Sequence, residues 1–273
     1  MSTTPLTDAI NALTQYANET TGQSDTTLSD AVGTLVAGYG GGGGISIDDL
    51  ATNSAPSGAI TLGSGVTTIA DYAFAGKPIT SIVAPSVTSV KQYALQSTQI
   101  ESITDANFPV LGVSARYGIF LRMSSLKSIK LTGGNITLDN GSGGLRDSTN
   151  LLTAEFPNAA RDVGPSYVSI GQSFFYGDNK MTLADVGYIT IISNMAFYNC
   201  NKLATLILRS GSVVTLNNAT AFQNTPIRGY QSQTGTIYVP SSLISSYQTA
   251  SNWATLYNEG HCTFAAIEGS IYE

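Results

Sequence analysis

Charged residues are scarce in this chain of 273 residues. They make up 11% of the sequence, and Lys and Arg form no run anywhere along it. A nucleic-acid-binding surface needs clustered basic side chains to neutralise phosphates, so we expect no nucleic-acid partner. A typical globular chain is about one quarter charged, whereas Ser, Thr, Asn and Gly fill those places here. Such a surface is common in extracellular and virion proteins.

Cysteine and histidine are too few for the common structural and catalytic sites. The chain has two cysteines, Cys200 and Cys262, too few for a disulfide framework, and one histidine, His261. Zinc needs three or four ligands, and these residues do not supply them. No pair of carboxylates suggests glycoside hydrolysis. We therefore expect no enzymatic activity, no cofactor and no metal centre, with calcium left open at the Asp-containing turns 139–141 and 178–179.

Long apolar segments are absent as well. No run of 18 apolar residues occurs, so we expect no membrane span. Residues 1–5 carry neither a basic segment nor the start of an apolar one, so they do not suggest a signal peptide. This argues against an exported bacterial protein and counts in the choice between functions below.

A degenerate motif recurs along the rest of the chain. It reads Ile-x-x-x-Ala-Phe followed by Leu or Ile at two positions three residues apart, as at 69–82 and again at 192–206. One position of the motif is apolar throughout, with successive separations of 21, 25, 25, 30, 22 and 25 residues. Its members are Phe74, Leu95, Phe120, Leu145, Phe175, Phe197 and Phe222.

This period predicts one supersecondary unit stacked on itself, because a single unit cannot bury its own apolar face. The fold class expected is mainly β, with the repeats forming a solenoid over 60–273 that ends in a C-terminal cap. A β-sandwich with regularly spaced strands is the alternative. In a solenoid, function is expected on an extended surface.

Residues 196–206, Ala-Phe-x-x-Cys-x-x-Leu-x-x-Leu, resemble the BspA-like leucine-rich repeat family. So does the segment 237–240, Ile-Tyr-Val-Pro, with the Tyr247 and Trp253 that follow it. The resemblance covers about 60–267 and departs from the pattern over 110–190. It implies a right-handed, strand-rich solenoid used for surface adhesion and recognition.

The N-terminal 39 residues have a different pattern. Two amphipathic helices are predicted, each with an apolar stripe spaced four, three and four residues apart. The stripe residues proposed for assembly are Leu6, Ile10, Leu13, Leu28, Val32 and Leu35. A glycine-rich linker over 40–59 follows. The two helices also resemble the N-terminal modules of bacteriophage structural proteins, which implies an anchoring or oligomerisation role, with a trimer favoured.

Tyrosine is the most suggestive surface residue. The chain has 14, and tyrosine gives an adaptable contact surface at small entropic cost. Those in the less regular stretches are candidate recognition residues: Tyr117, Tyr167, Tyr176, Tyr188 and Tyr230. The alternative is that they pack the edges of the solenoid.

Two functions fit these patterns. The first is a bacteriophage virion protein, of the tail tip, fibre or head decoration. Its N-terminal module would bind other virion proteins, and its solenoid would bind a host-surface protein or glycan. The second is a bacterial cell-surface adhesin of the BspA-like kind, located at the cell surface. The missing signal peptide and the helix–glycine–solenoid order favour the first.

Overall fold

The computed structural model describes residues 57–63, 65–108, 118–133, 136, 138, 144–162 and 169–273. Short strands dominate this part of the chain, and each contains two to five residues. The strands are β1 (Gly58–Thr61), β2 (Thr68–Ile69), β3 (Ile79–Val83), β4 (Ser89–Val90), β5 (Ser102–Thr104), β6 (Ser128–Lys130), β7 (Thr153–Glu155), β8 (Ser169–Ile170), β9 (Leu183–Asp185), β10 (Ile191–Ile192), β11 (Thr205–Ile207), β12 (Thr215–Leu216), β13 (Gly235–Val239) and β14 (Cys262–Ala266).

Every strand pairing in the described residues is parallel. The largest sheet has seven strands in the order β14-β13-β11-β9-β7-β6-β5. A second sheet has the order β12-β10-β8, and β1-β3 and β2-β4 form two further pairs. Sandwiches are built from antiparallel sheets, so the sandwich alternative is wrong. The prediction of a mainly β repeat fold is confirmed, and the handedness of the solenoid stays a prediction.

One apolar side chain from each strand of the large sheet points into the core. Neighbouring strands place these residues directly side by side, so their side chains form one continuous row under the sheet. The row consists of Ile103, Ile129, Ala154, Ala184, Leu206, Ile237 and Phe264. All seven are buried, which explains the Leu/Ile positions of the motif: a short parallel strand faces the core on one side only.

The turns before these strands also stack from one repeat to the next through backbone hydrogen bonds. The Phe74 N–H donates to the Ala94 carbonyl oxygen at 2.9 Å, and the Phe197 N–H donates to the Ala221 carbonyl oxygen at the same distance. In the same way, the residue just before the next position of the series accepts, through its carbonyl oxygen, from the backbone N–H of Leu95, Phe120, Leu145 and Phe175. The seven positions predicted from the sequence are therefore confirmed as neighbours, including those in the irregular middle of the chain.

Aromatic rings continue this stacking in the C-terminal half. The ring of Phe197 is parallel to those of Phe175 and Phe222, with centroids 5.1 and 5.2 Å apart and interplanar angles of 8°. All three side chains are fully buried. Because each ring packs on the next repeat, removal of one exposes a face of both neighbours.

The turns need left-handed backbone at two places. Two residues before the packed position φ is positive at Tyr72, Tyr93 and Met195, and two residues after it φ is positive at Asn199 and Asn224. Asn tolerates this conformation because its short side chain can bond locally, whereas a bulky side chain is strained in it. Met195 nevertheless occupies such a site and is 40% exposed.

The C-terminal cap closes the edge of the second sheet with side chains. It contains α1 (Ile244–Thr249) and α2 (Trp253–Asn258), placed between β13 and β14. The Val214 N–H donates to the Tyr247 hydroxyl at 3.0 Å, and the Trp253 indole N–H donates to the Val214 carbonyl oxygen at 2.6 Å. Next to them the Asn252 amide donates to the Leu216 carbonyl oxygen at 2.7 Å. These side chains satisfy backbone groups that no further strand pairs with.

Four 3-10 helices complete the regular structure of the last repeats. They are Ala219–Phe222, Pro226–Arg228, Tyr230–Ser232 and Ser241–Leu243. No helix in the described ranges is long and apolar enough to cross a membrane. The predicted N-terminal helices, with Leu6, Ile10, Leu13, Leu28, Val32 and Leu35, lie outside the described residues.

Candidate functional site

The outward face of the seven-stranded sheet carries a row of hydroxyl side chains. The residue just before each buried apolar residue points away from the core, and these residues are exposed or half-buried. In strand order, the row consists of Ser102, Ser128, Thr153, Leu183, Thr205, Thr236 and Thr263. Parallel strands lie about 4.8 Å apart, so the row is a long and nearly regular surface rather than a cleft.

Two leucines interrupt the polar character of this face near its middle. Leu152 is 46% exposed, and Leu183, in the hydroxyl row, is half-buried. The Leu152 N–H donates to the Lys127 carbonyl oxygen, and the Leu152 carbonyl oxygen accepts from the Thr182 N–H, both at 2.8 Å. Leu152 therefore lies between Lys127 and Thr182 on adjacent repeats.

The charged residues are distributed unequally on the two sides of this face. On the side toward the ends of the strands, charges are paired: Lys130 with Glu155 and Arg209 with Asp185, each at 2.8 Å. The Arg209 guanidinium also donates to the Tyr272 carbonyl oxygen at 2.8 Å, which attaches the C-terminal segment to the sheet.

On the side before the strands, positive charge is in excess. Lys127 pairs with Glu101 at 2.7 Å, but both side chains are more than half exposed. The Lys180 ammonium donates to the Asn150 amide oxygen at 2.6 Å. Within the described ranges Lys202 forms no ion pair, and its side chain is exposed. Three ammonium groups thus face one carboxylate.

The predicted recognition tyrosines do not form one surface. Tyr117 and Tyr167 lie outside the described residues. Tyr188 is 36% exposed and follows β9, whereas Tyr230 is half-buried in the 3-10 helix Tyr230–Ser232. Tyr176 is half-buried in the turn stack. Their role in recognition stays a prediction.

Tyr176 has both ring faces covered. The Tyr198 ring stacks on one face, with centroids 5.2 Å apart and an interplanar angle of 5°. The Arg146 guanidinium lies over the Tyr176 ring, 4.8 Å from its centroid. Stacking against a sugar needs a free aromatic face, so Tyr176 offers a ligand only its edge and its hydroxyl. Packing at the edge of the solenoid therefore describes Tyr176 better than ligand recognition does.

Asp178, in the second of the two candidate calcium turns, has no access to solvent. Asp178 is fully buried and accepts the Ser148 N–H through Oδ1 at 2.7 Å. Desolvation raises the pKa of the Asp178 carboxyl well above its usual value, the Asp147 charge adds to this, and the Ser148 N–H opposes it. Calcium needs several oxygen ligands, and no group of three or more His, Cys, Asp or Glu side chains that could hold a metal ion occurs in the described ranges. Calcium at 178–179 is therefore not supported, and 139–141 lies outside the described residues.

The two thiols are also buried. The Cys200 thiol donates to the Phe175 carbonyl oxygen at 3.0 Å, and burial followed by the nearby Asp178 charge raises its pKa well above the usual value. Burial raises the pKa of Cys262 to about 12. A nucleophilic cysteine needs a low pKa and access to solvent, so neither thiol is suited to catalysis.

Sequence reasoning missed the sheet face. A usable signal was present, because Ser or Thr precedes the central apolar residue in six of the seven strands of the large sheet. Leu152 and Lys180 gave no signal at all. Their proximity depends on the parallel register, which joins residues about 30 positions apart.

Short parallel strands, stacked with two buried apolar residues three positions apart in most repeats, define this molecule as a leucine-rich repeat protein. A family model described as a BspA type leucine-rich repeat region (6 copies) matches residues 51–168 and 168–255. The chain belongs to this BspA-type leucine-rich repeat family. No curated protein matches the chain.

Two solved structures are similar to the chain. One is a leucine-rich cell surface protein from Faecalibacterium prausnitzii, with 16% identity and a TM-score of 0.34 over 74% of this chain and 62% of that one. The other is a leucine-rich repeat protein from Bacteroides ovatus, with 16% identity and a TM-score of 0.21 over 77% and 84%. The chain thus spans less than two thirds of the first structure.

Proposed function

We propose that this chain is a non-enzymatic recognition protein that acts at a cell surface as an adhesin of the BspA-like kind. The outward face of its seven-stranded sheet would bind a surface protein or glycan. The observation that carries the proposal is the open row from Ser102 to Thr263, with hydroxyl side chains on six of its seven strands, which offers a contact surface across the whole sheet.

Family membership favours this role over the virion role expected from the N-terminal segment. That segment lies outside the described residues, and the matched family gives no support for a phage particle. The host-surface partner itself is common to both roles. The partner proteins of the virion and the trimeric state stay predictions.

The test is binding of the fluorescently labelled full-length chain to intact cells and to an array of surface glycans and matrix proteins. We expect saturable binding that Thr205→Arg or Thr153→Arg weakens, because both residues lie in the middle of the face and a long charged side chain there obstructs contact. Antibody labelling of intact cells of the source organism tests the location.

Thr67→Arg is the matched control, since Thr67 is exposed just before β2, outside the large sheet. It should leave binding unchanged. Equal binding by all three variants would locate recognition elsewhere on the molecule. No binding to any cell or array would contradict the function itself.

A further inference from the structure

The side of the sheet face that precedes the strands combines an exposed leucine with three lysines that have one carboxylate partner among them. We propose that this surface, the Leu152 patch (Leu152, Leu183, Lys127, Lys180 and Lys202), docks an acidic protein segment that inserts an apolar side chain beside Leu152. The inference rests on the proposed function, because it assigns a class of partner to the same sheet face.

Leu152 gives the surface its apolar centre. It is 46% exposed although the adjacent Leu151 is fully buried. Its backbone bonds to Lys127 on one side and to Thr182 on the other place Leu152 between two polar residues of adjacent repeats. Leu183 follows Thr182 and pairs with Thr153, so it adds aliphatic surface to the next strand. Contacts of this kind, apolar at the centre and polar at the rim, characterise protein recognition sites.

The lysines determine the charge of the partner. A lysine ammonium has three donors, and Lys180 uses one of them on the neutral Asn150 amide. The Lys127–Glu101 pair is exposed on both sides, and such pairs hold weakly in water. Lys202 forms no ion pair among the described residues. Carboxylates of a partner can therefore engage all three ammonium groups.

The opposite side of the same face lacks this excess. There the Lys130 charge is neutralised by Glu155, and the Arg209 charge by a nearly buried Asp185. Residues 57–273 contain 12 acidic and 12 basic residues, so the repeat part is formally neutral and the excess of lysines on the side of Leu152 is a local feature of the sheet face. An acidic partner is therefore attracted to this side of the sheet face by the local excess of lysine charge.

A protein segment fits better than a polyanionic glycan. A sulfated glycan chain would engage the lysines but would cover Leu152 with hydroxyl and sulfate groups, which leaves its apolar surface without a complementary contact. An acidic segment with one leucine or isoleucine matches both features. The glycan is therefore an outcome of the test rather than part of the proposal.

The experiment measures binding of the full-length chain to a fluorescent acidic peptide of Glu residues around one central Leu. Two control peptides replace Glu by Gln or the central Leu by Ser, and heparin serves as a polyanionic glycan. We expect the acidic peptide to bind more tightly than either control peptide, and the affinity to fall as ionic strength rises from about 0.05 M to about 0.5 M.

Variants of the chain locate the site. Lys180→Gln combined with Lys202→Gln should weaken peptide binding about tenfold, and Leu152→Ser about fivefold. The matched controls are Lys91→Gln, at an exposed lysine of the turns, and Ile271→Ser, at a residue that is 91% exposed near the C-terminus. Both controls should bind as the unchanged protein does.

Each remaining outcome overturns the proposal. These outcomes are no binding of the acidic peptide, equal binding by all variants, and heparin binding that depends on the lysines but not on Leu152. Cell binding by the same variants distinguishes a failure of the acidic-partner proposal from a failure of the proposed function. If cells bind the chain but the Leu152 patch variants bind equally well, the proposed function stands and the acidic partner is wrong. If cells do not bind the chain, the proposed function itself is wrong.

Discussion

Asp178 places an ionisable carboxyl group where solvent cannot reach it. One oxygen accepts the Ser148 N–H, while Oδ2 has no hydrogen-bond partner in the described part of the chain. Desolvation raises the pKa of this carboxyl, so the folded protein favours the protonated form. Asp178 therefore links the stability of the repeat stack to pH.

The first prediction concerns the Asp178→Asn variant. A raised pKa means that the favourable contribution is complete below the unfolded pKa of about 3.9 and is lost as pH rises toward the folded pKa. The loss amounts to about 1.4 kcal/mol per pH unit in that window. The variant keeps the acceptor for Ser148 but does not titrate, so its stability relative to the unchanged protein should rise with pH. Urea unfolding at about pH 4.5 and about pH 7.5 measures this, and a difference independent of pH would contradict it.

Met195 has a backbone conformation that costs free energy. Its φ of 57° is left-handed, a conformation that costs an ordinary residue roughly 1–2 kcal/mol. Since its side chain is 40% exposed, the surrounding turn rather than side-chain burial must hold this backbone in place. The hydrogen-bonded ladder of the turns supplies that constraint.

The second prediction compares Gly with Ala at position 195. Met195→Gly should be more stable than Met195→Ala by about 1 kcal/mol, because both variants lose the side chain but only Gly relieves the strain. At Ala204, whose φ is not positive, the order should reverse and Ala204→Gly should lower stability. Thermal unfolding of the three variants tests this, and equal stability of Met195→Ala and Met195→Gly would show that the turn is not strained.

Among the structural elements, the repeated turn carries the core through its stacked rings. Phe197 contacts the repeats before and after it, so its contribution is shared between neighbours. In a stacked repeat protein, coupling runs mainly between adjacent units. A substitution in one repeat should therefore destabilise mainly that repeat and the two repeats next to it.

The third prediction is a loss of roughly 3–5 kcal/mol for Phe197→Ala, as for a large buried aromatic residue. Hydrogen exchange should show lost protection mainly over about 175–225, which covers the adjacent repeats. Tyr198→Ala is the control, because this neighbouring ring is only half-buried and should cost less. Uniform loss of protection along the chain would contradict nearest-neighbour coupling.

The cap is a second element whose role is structural. Tyr247 is fully buried, and its hydroxyl is the acceptor for the Val214 N–H. Desolvation raises the pKa of Tyr247 to about 12, against the opposing effect of the Val214 N–H. The neutral phenol is therefore the form that the cap holds over a wide pH range.

The fourth prediction is that Tyr247→Phe destabilises the C-terminal repeats by about 1–3 kcal/mol, since it leaves a buried backbone donor without a partner. Tyr257→Phe changes a residue that is 38% exposed and should have little effect. Because the raised pKa favours the protonated phenol in the folded state, the unchanged protein should also lose stability between about pH 10 and about pH 12. Tyr247→Phe should lose less over that interval, and denaturation at both pH values measures the difference.

Along the whole molecule, the net charge of the N-terminal segment differs from that of the repeat part. The formal net charge of the chain is −6, and residues 1–56 contain six acidic and no basic residues, which leaves 57–273 with 12 of each. The family match begins at residue 51. The matched repeats lie outside residues 1–39, so we expect the repeat part to fold without the predicted N-terminal module.

The fifth prediction follows from this division. A chain of residues 45–273 should keep the thermal unfolding of the repeats but lose self-association, which we expect to depend on the apolar stripes with Leu13 and Leu35. Mass photometry of the full-length and shortened chains measures the association. Leu13→Asp with Leu35→Asp in the full-length chain should have the same effect. A monomer in both forms of the chain would contradict an assembly role for the module.

Much of the repeat architecture could be predicted because its pattern is local. An apolar residue every 21 to 30 positions, followed in several repeats by a Leu/Ile pair, suffices to identify the buried row from Phe74 to Phe222, since a repeat can cover that row only with its neighbours. The absence of a catalytic centre, which the single histidine and two cysteines suggested, stays a prediction.

The surface was decided by the three-dimensional packing. Parallel register brings Lys127, Leu152 and Thr182 together from three repeats, and stacking covers both faces of Tyr176, which composition alone had suggested for recognition. The same register buries Asp178, a residue that resembles an ordinary turn aspartate in the sequence. The apolar period of the sequence decides which side chains are buried. Which residues of adjacent repeats each side chain contacts depends on how successive repeats align. That alignment is set by backbone hydrogen bonds between residues 20 or more positions apart.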